Sequence, residues 1–181
     1  EGSARKRNRR LFRHRKISGL TEQPKQMYLV ECKPDAILVK SLTRASRKSI
    51  DHAGNKSELL KKLTERYGNS KGIIDEDPWS IQPPHLRKFR EKHDLTSYNL
   101  KILYQTSKNN TLIMLRPRLE DWILEAAHEA NIDLKKYDLP NDPIKLHERI
   151  NIQIDKFQKL VENLARSNRL RKLKIHLTRD V

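Results

Sequence analysis

A single cysteine, Cys32, excludes an internal disulfide framework and any zinc site built from several thiolates. Only five glycines occur in 181 residues, and they form neither a phosphate-binding loop nor a dinucleotide-binding run. No window approaches the ~18 consecutive apolar residues of a membrane-spanning helix. The N-terminus lacks the apolar core of a secretory signal. Acids are also scarce, with 23 Asp and Glu against 39 Lys and Arg, so the formal net charge is +16. Such an excess attracts polyanions, which makes nucleic acid the first partner to expect and an anionic membrane surface the second. A membrane-surface protein would need a basic amphipathic helix bearing bulky apolar residues, and no segment reads that way. These absences imply a soluble, cytoplasmic protein with a strongly cationic surface and no membrane partner.

The positive charge is concentrated at the start. Residues 1–16 hold eight Lys or Arg and one acid. Their few apolar side chains cannot bury enough surface for the segment to fold alone. It reads as an arm, with Arg5, Lys6, Arg7, Arg9, Arg10, Arg13 and Arg15 set to lie along phosphates, or as a solvated tail. A linker follows to residue 26, broken by Gly19 and Pro24.

From Met27 the pattern alternates. The apolar run 27–32 predicts a buried strand, and Pro34 opens a helix over 35–45. Residues 48–54 form a second, weaker strand. Asn55 with Glu58 resembles a capping box, and Leu59, Leu60, Leu63 and Tyr67 mark one face of the helix that Gly68 closes. A third strand is expected over 71–77. A polar helix is expected over 83–94, then strands over 98–105 and 111–115. Two long helices follow. Leu119, Trp122, Ile123, Ala126 and Ala127 define the first, and Leu146, Ile150, Ile154, Phe157, Val161 and Leu164 the seam of the second. That seam serves packing within the chain, or a homodimer or larger complex. The segment 166–181 suggests a short strand or an amphipathic piece. The resulting architecture is α/β, a mostly parallel sheet of four to five strands flanked by helices. Residues 27–130 form the α/β domain and residues 131–181 a C-terminal helical extension with a basic tail.

In a parallel sheet the C-terminal strand ends share one edge, where ligands bind. Glu31 ends the first strand and Asp35 begins its helix. His52 lies near the end of the second, ahead of Lys56. Asp75-Glu76-Asp77 ends the third, and an extended backbone would direct Asp75 and Asp77 to one side. Taken singly, each acid has an ordinary reading: Asp35 as a helix-dipole partner, 75–77 as a solvated turn. Gathered on one edge they would repel strongly unless a divalent cation neutralised them. The seven histidines are scattered with no metal-ligand spacing, and Trp79 and Trp122 read as packing residues.

The stretch LVECKPDAILVKSL (29–42) resembles the strand–Glu–loop–helix opening of TOPRIM domains, and GIIDED (72–77) resembles their strand–Asp-x-Asp element. The Glu31–Asp35 spacing is most similar to the small TOPRIM nucleases of the overcoming-lysogenization-defect type. RPRLEDWIL (116–124) looks like the later Glu-containing helix of related proteins. The family usually has glycine after the first Glu, where this chain has Cys32. The resemblance covers residues 27–130 and implies a Rossmann-like fold and a magnesium- or manganese-dependent nuclease acting on DNA or RNA. It makes Glu31 the general acid/base, Asp75 and Asp77 metal ligands, Asp35 a second-metal ligand and Glu120 a further candidate. Lys33, Lys56 and the basic arm would hold the substrate backbone. Primase or topoisomerase activity by this chain alone is not expected, because the segments that accompany TOPRIM in those enzymes are not in the sequence. The competing reading is a binding module, or one subunit of a larger complex, that keeps the fold without chemistry. Its carboxylates would splay or pair with lysine instead of facing one cation.

Overall fold

The computed structural model describes residues 26–179, so the basic arm and its seven named arginine and lysine residues lie outside the described residues. The chain runs β1 (Tyr28–Val30), α1 (Lys33–Thr43), β2 (Ile50–His52), α2 (Lys56–Glu65), β3 (Lys71–Asp75), β4 (Arg90–Leu95), β5 (Leu100–Gln105) and β6 (Asn110–Leu115). Four helices complete it: α3 (Leu119–Glu129), α4 (Pro143–Ile152), α5 (Ile154–Leu164) and α6 (Asn168–Thr178). The six strands form one sheet in the order β2-β1-β3-β6-β5-β4. Strands β2, β1, β3 and β6 pair in parallel, while β5 runs antiparallel to both β6 and β4. Five strands therefore point one way and only β5 is reversed.

Period-two alternation divides the strands between two cores. Val30, Ile73, Ile102, Ile113 and Leu115 face the larger one, which α1 and the C-terminal helices cover. Leu29, Ile74, Leu103, Leu112 and Met114 face the smaller one, sealed by Leu59, Leu60 and Leu63 of α2 together with Phe89. The larger core is continuous from Tyr28 to Leu177, and Trp122 and Phe157 are its largest fully buried side chains. No helix among the described residues is long and apolar enough to cross a membrane.

Gly72 sits in β3 where α2 crosses closest. A Cβ there would meet methyl groups of Leu63, Leu59 and Leu112 at 2.9, 3.0 and 3.1 Å. Gly72→Val is therefore expected to cost about 1–3 kcal/mol through overpacking. The check is a lower denaturant midpoint at unchanged slope.

Several expectations need correction. The sheet has six strands instead of four to five, because residues 83–94 are not a helix: a 3₁₀ turn at Pro84–Lys88 leads into β4. Pro83 and Pro84 deny the first turn its amide donors, and the exposed strand gains its hydrogen bonds from β5. The two hairpin turns share the spelling Thr-Ser-x-Asn, and each ends on an asparagine in the left-handed region, Asn99 (φ 48°) and Asn109 (φ 57°). The 146–164 seam is interrupted at Gln153 (φ −108°, ψ 57°), so α4 and α5 are separate helices. Its residues Leu146, Ile150, Phe157, Val161 and Leu164 are all buried within the chain. Residues 168–178 form a helix, with Ser167 as its N-cap, and not a strand.

The end of α6 is tied to the sheet. The buried Lys71 ammonium donates to the carbonyl of His176 at 2.9 Å and to that of Arg179, and the Tyr28 hydroxyl donates to the carbonyl of Leu177. A cation at a helix C-terminus meets the negative end of its dipole.

Candidate functional site

The carboxyl ends of β1, β2, β3 and β6 lie along one edge, and the acids fall there as the topology requires. Glu31 follows β1 directly. Burial, with Asp35 adjacent, pushes its carboxyl up to about 7, against the pull of Lys56 and the Asp75 backbone amide. Asp35 occupies the first turn of α1. Its Oδ2 accepts from the Cys32 amide at 3.1 Å and the Cys32 thiol at 3.2 Å. It thus caps the helix while buried at 5% exposure. Burial raises it to about 6 despite those hydrogen bonds. The thiol is itself pushed far above its usual range by burial and by Asp35, so Cys32 is no nucleophile.

Asp75 ends β3 at the centre of the edge. Its Oδ1 accepts from the Leu119 amide, the N-terminus of α3, at 2.9 Å. A helix N-terminus favours the carboxylate, yet burial outweighs it, joined by repulsion from Asp35, Glu120, Glu31 and Asp77. The result is a carboxyl held up to about 9. Glu120, in the first turn of α3, is buried and accepts from or donates to His147 Nδ1 of α4 at 2.7 Å, according to the ring's proton. Glu31, Asp35, Asp75 and Glu120 therefore sense one another within a single buried patch.

Asp77 departs from the expected geometry. The strand stops at Asp75, and Asp77 adopts φ 45° with its amide donating to the carbonyl of Pro117. The two aspartates are thus not alternate positions of one strand. The Asp77 carboxylate meets Lys56 Nζ at 3.1 Å, and Lys56 also donates to the carbonyl of Glu76 at 3.0 Å. Lys56 is therefore engaged inside the chain, while Lys33 stands exposed at the first turn of α1. Arg116, just after β6, bridges Glu76 (3.4 Å) and Asp94 (2.7 Å). His52 is exposed and makes no part of the acid patch.

Three features were not legible in sequence. His147 reaches Glu120 across 27 positions, Arg116 joins acids from two different loops, and Trp79 is 81% exposed instead of packed. Trp122 alone behaves as expected, fully buried with its indole N–H on the carbonyl of Tyr98 at 2.8 Å.

The donor set suits magnesium or manganese by chemistry, with hard carboxylate oxygens and buried negative charge that no internal cation fully offsets. It is not a preformed cage: among the described residues no group of three or more His, Cys, Asp or Glu side chains is gathered to hold a metal ion. Set against known families, curated proteins and solved structures, the chain matches no family model, no curated protein and no solved structure.

Proposed function

We propose that this chain is a TOPRIM-fold protein acting on nucleic acid, and that it is a magnesium-dependent phosphodiester nuclease. The observation that carries this reading is Asp75, held up to about 9 at the middle of the strand-end edge by burial and by surrounding acids. Uncompensated buried acids concentrated on a ligand-binding edge mark functional sites more often than structural ones. Asp75 and Glu31, with Asp77, Asp35 and Glu120 nearby, would hold the cation. Once bound, it would neutralise charge developing on the phosphoryl oxygens. Glu31 is placed to take the proton from an attacking water, as one phosphorus–oxygen ester bond breaks, or to return it to the leaving oxygen. Exposed Lys33 would contact the phosphate backbone, as would the arm.

The Lys56–Asp77 ion pair favours a second reading, a nucleic-acid-binding module without chemistry, in which lysine takes the place of metal at one carboxylate. One experiment separates the two. Melting curves with Mg²⁺, Mn²⁺ or chelator are run beside cleavage of single- and double-stranded DNA and RNA. The expected result is a metal-dependent rise in melting temperature, by linkage to the folded state, and cleavage abolished by chelator. A rise without cleavage supports the binding module. No rise overturns the metal site.

A further inference from the structure

The turn that follows the acid edge carries an apolar tip with nothing packed on it. Trp79 is 81% exposed and Ile81 fully exposed, in a chain with only two tryptophans. The tip is held firmly. Ser80 N–H closes the turn on the carbonyl of Asp77 at 2.9 Å, and the Gln82 amide donates to the carbonyls of Glu76, Asp77 and Ser80 at 3.0 to 3.1 Å. Pro78, Pro83 and Pro84 restrict the backbone on both sides. An indole presented this way loses little conformational freedom on binding, which is the economy of a preorganised contact.

The surroundings indicate what it contacts. Downstream of the tip come Arg87, Lys88, Arg90 and Lys92, all exposed, against Glu91 alone. A cationic track beside an exposed aromatic is the combination that binds single strands, where phosphates follow the charge and bases stack on rings. A paired base in a duplex has no free face to offer.

We infer that Trp79 is a stacking platform for an unpaired base, so that the acid edge receives single-stranded nucleic acid or a frayed end. The inference rests on the nucleic-acid reading above, and narrows its substrate class. Ile81 flanks the base, and the cations of residues 87–92 carry the strand away from the turn.

Because Trp122 is buried, tryptophan emission accessible to quencher reports Trp79. Oligo(dT), oligo(rU) and a blunt DNA duplex are titrated into the full chain in chelator, with acrylamide quenching and melting temperature measured alongside. The parent, Trp79→Ala and Trp79→Phe are compared. Single strands are expected to quench the parent's emission and shield it from acrylamide. Trp79→Ala should weaken single-strand affinity roughly 5- to 100-fold, Trp79→Phe should recover most of it, and duplex affinity should barely move. Unchanged single-strand affinity in Trp79→Ala, or equal loss on duplex, overturns the inference. Absence of any binding by the parent overturns it too. A parent that is quenched by single strands but never cleaves them with Mg²⁺ loses the nuclease and keeps the platform. A parent that cleaves, with single-strand affinity indifferent to Trp79→Ala, does the reverse.

Discussion

Asp75→Asn is expected to raise the melting temperature of the metal-free protein by roughly 4–8 °C at pH 8, the response of a chain this size to a gain of ~2 kcal/mol. In the unfolded chain this carboxyl ionises near 3.8, and in the folded protein it keeps its proton to about 9. Below the lower value both states are protonated and the group contributes nothing. As pH rises through the interval the unfolded chain releases a proton that the folded chain retains, so stability falls steadily and levels off above the upper value. Asparagine has no proton to release, and its advantage over the parent should grow from nothing near pH 4 to its maximum near pH 9. Its carbonyl oxygen can still accept from the Leu119 amide, while its NH₂ faces Glu31, Asp35 and Glu120 as a donor. The same change should remove most of the stabilisation by Mg²⁺. A melting temperature that falls, or rises equally at pH 4 and pH 8, contradicts the electrostatic account of the edge.

Glu31→Gln should separate chemistry from binding. An amide cannot shuttle a proton, so cleavage is expected to drop ~10²- to 10⁴-fold. Stability should hold or rise slightly, since the Glu31 carboxyl is itself pushed up to about 7 by burial. The parent's metal-free stability should decline between pH 4.5 and 7 from this group, and that portion should vanish in the variant. Much of the metal-induced melting shift should survive, because Asp75 keeps its charge. Equal cleavage by parent and Glu31→Gln would remove Glu31 from the reaction.

The parts of this edge that sequence made legible are those set by local rules. Glu31 and Asp35 were placed by an apolar run ending at a proline-led helix, and Asp75 by a run of β-branched residues that stops before Pro78. What sequence concealed depends on distant partners. Residues 90–95 carry Arg, Glu, Lys and Leu, good helix formers, and become a strand only because β5 supplies a ladder. Asp77 continues an apparent Asp-x-Asp alternation, but the carbonyl of Pro117 and the ammonium of Lys56 turn it aside. Gln153 breaks the 146–164 seam without a glycine or proline to announce it. Trp79 differs from Trp122 in nothing local: the second has helical neighbours at core spacing, and the first is simply left outside.

The two rims of the sheet guard against unwanted strand addition by different means. On one side β2 is three residues long, too short to template a partner. On the other, β4 is longer and bare, yet five of its six residues are Arg90, Glu91, Lys92, His93 and Asp94, and its register slips between Glu91 and His93. A second strand docking there would have to align its own charges with this mixed row and follow an irregular ladder. The residues that hid β4 from sequence reading are thus the ones that let it stand uncovered without recruiting copies of itself.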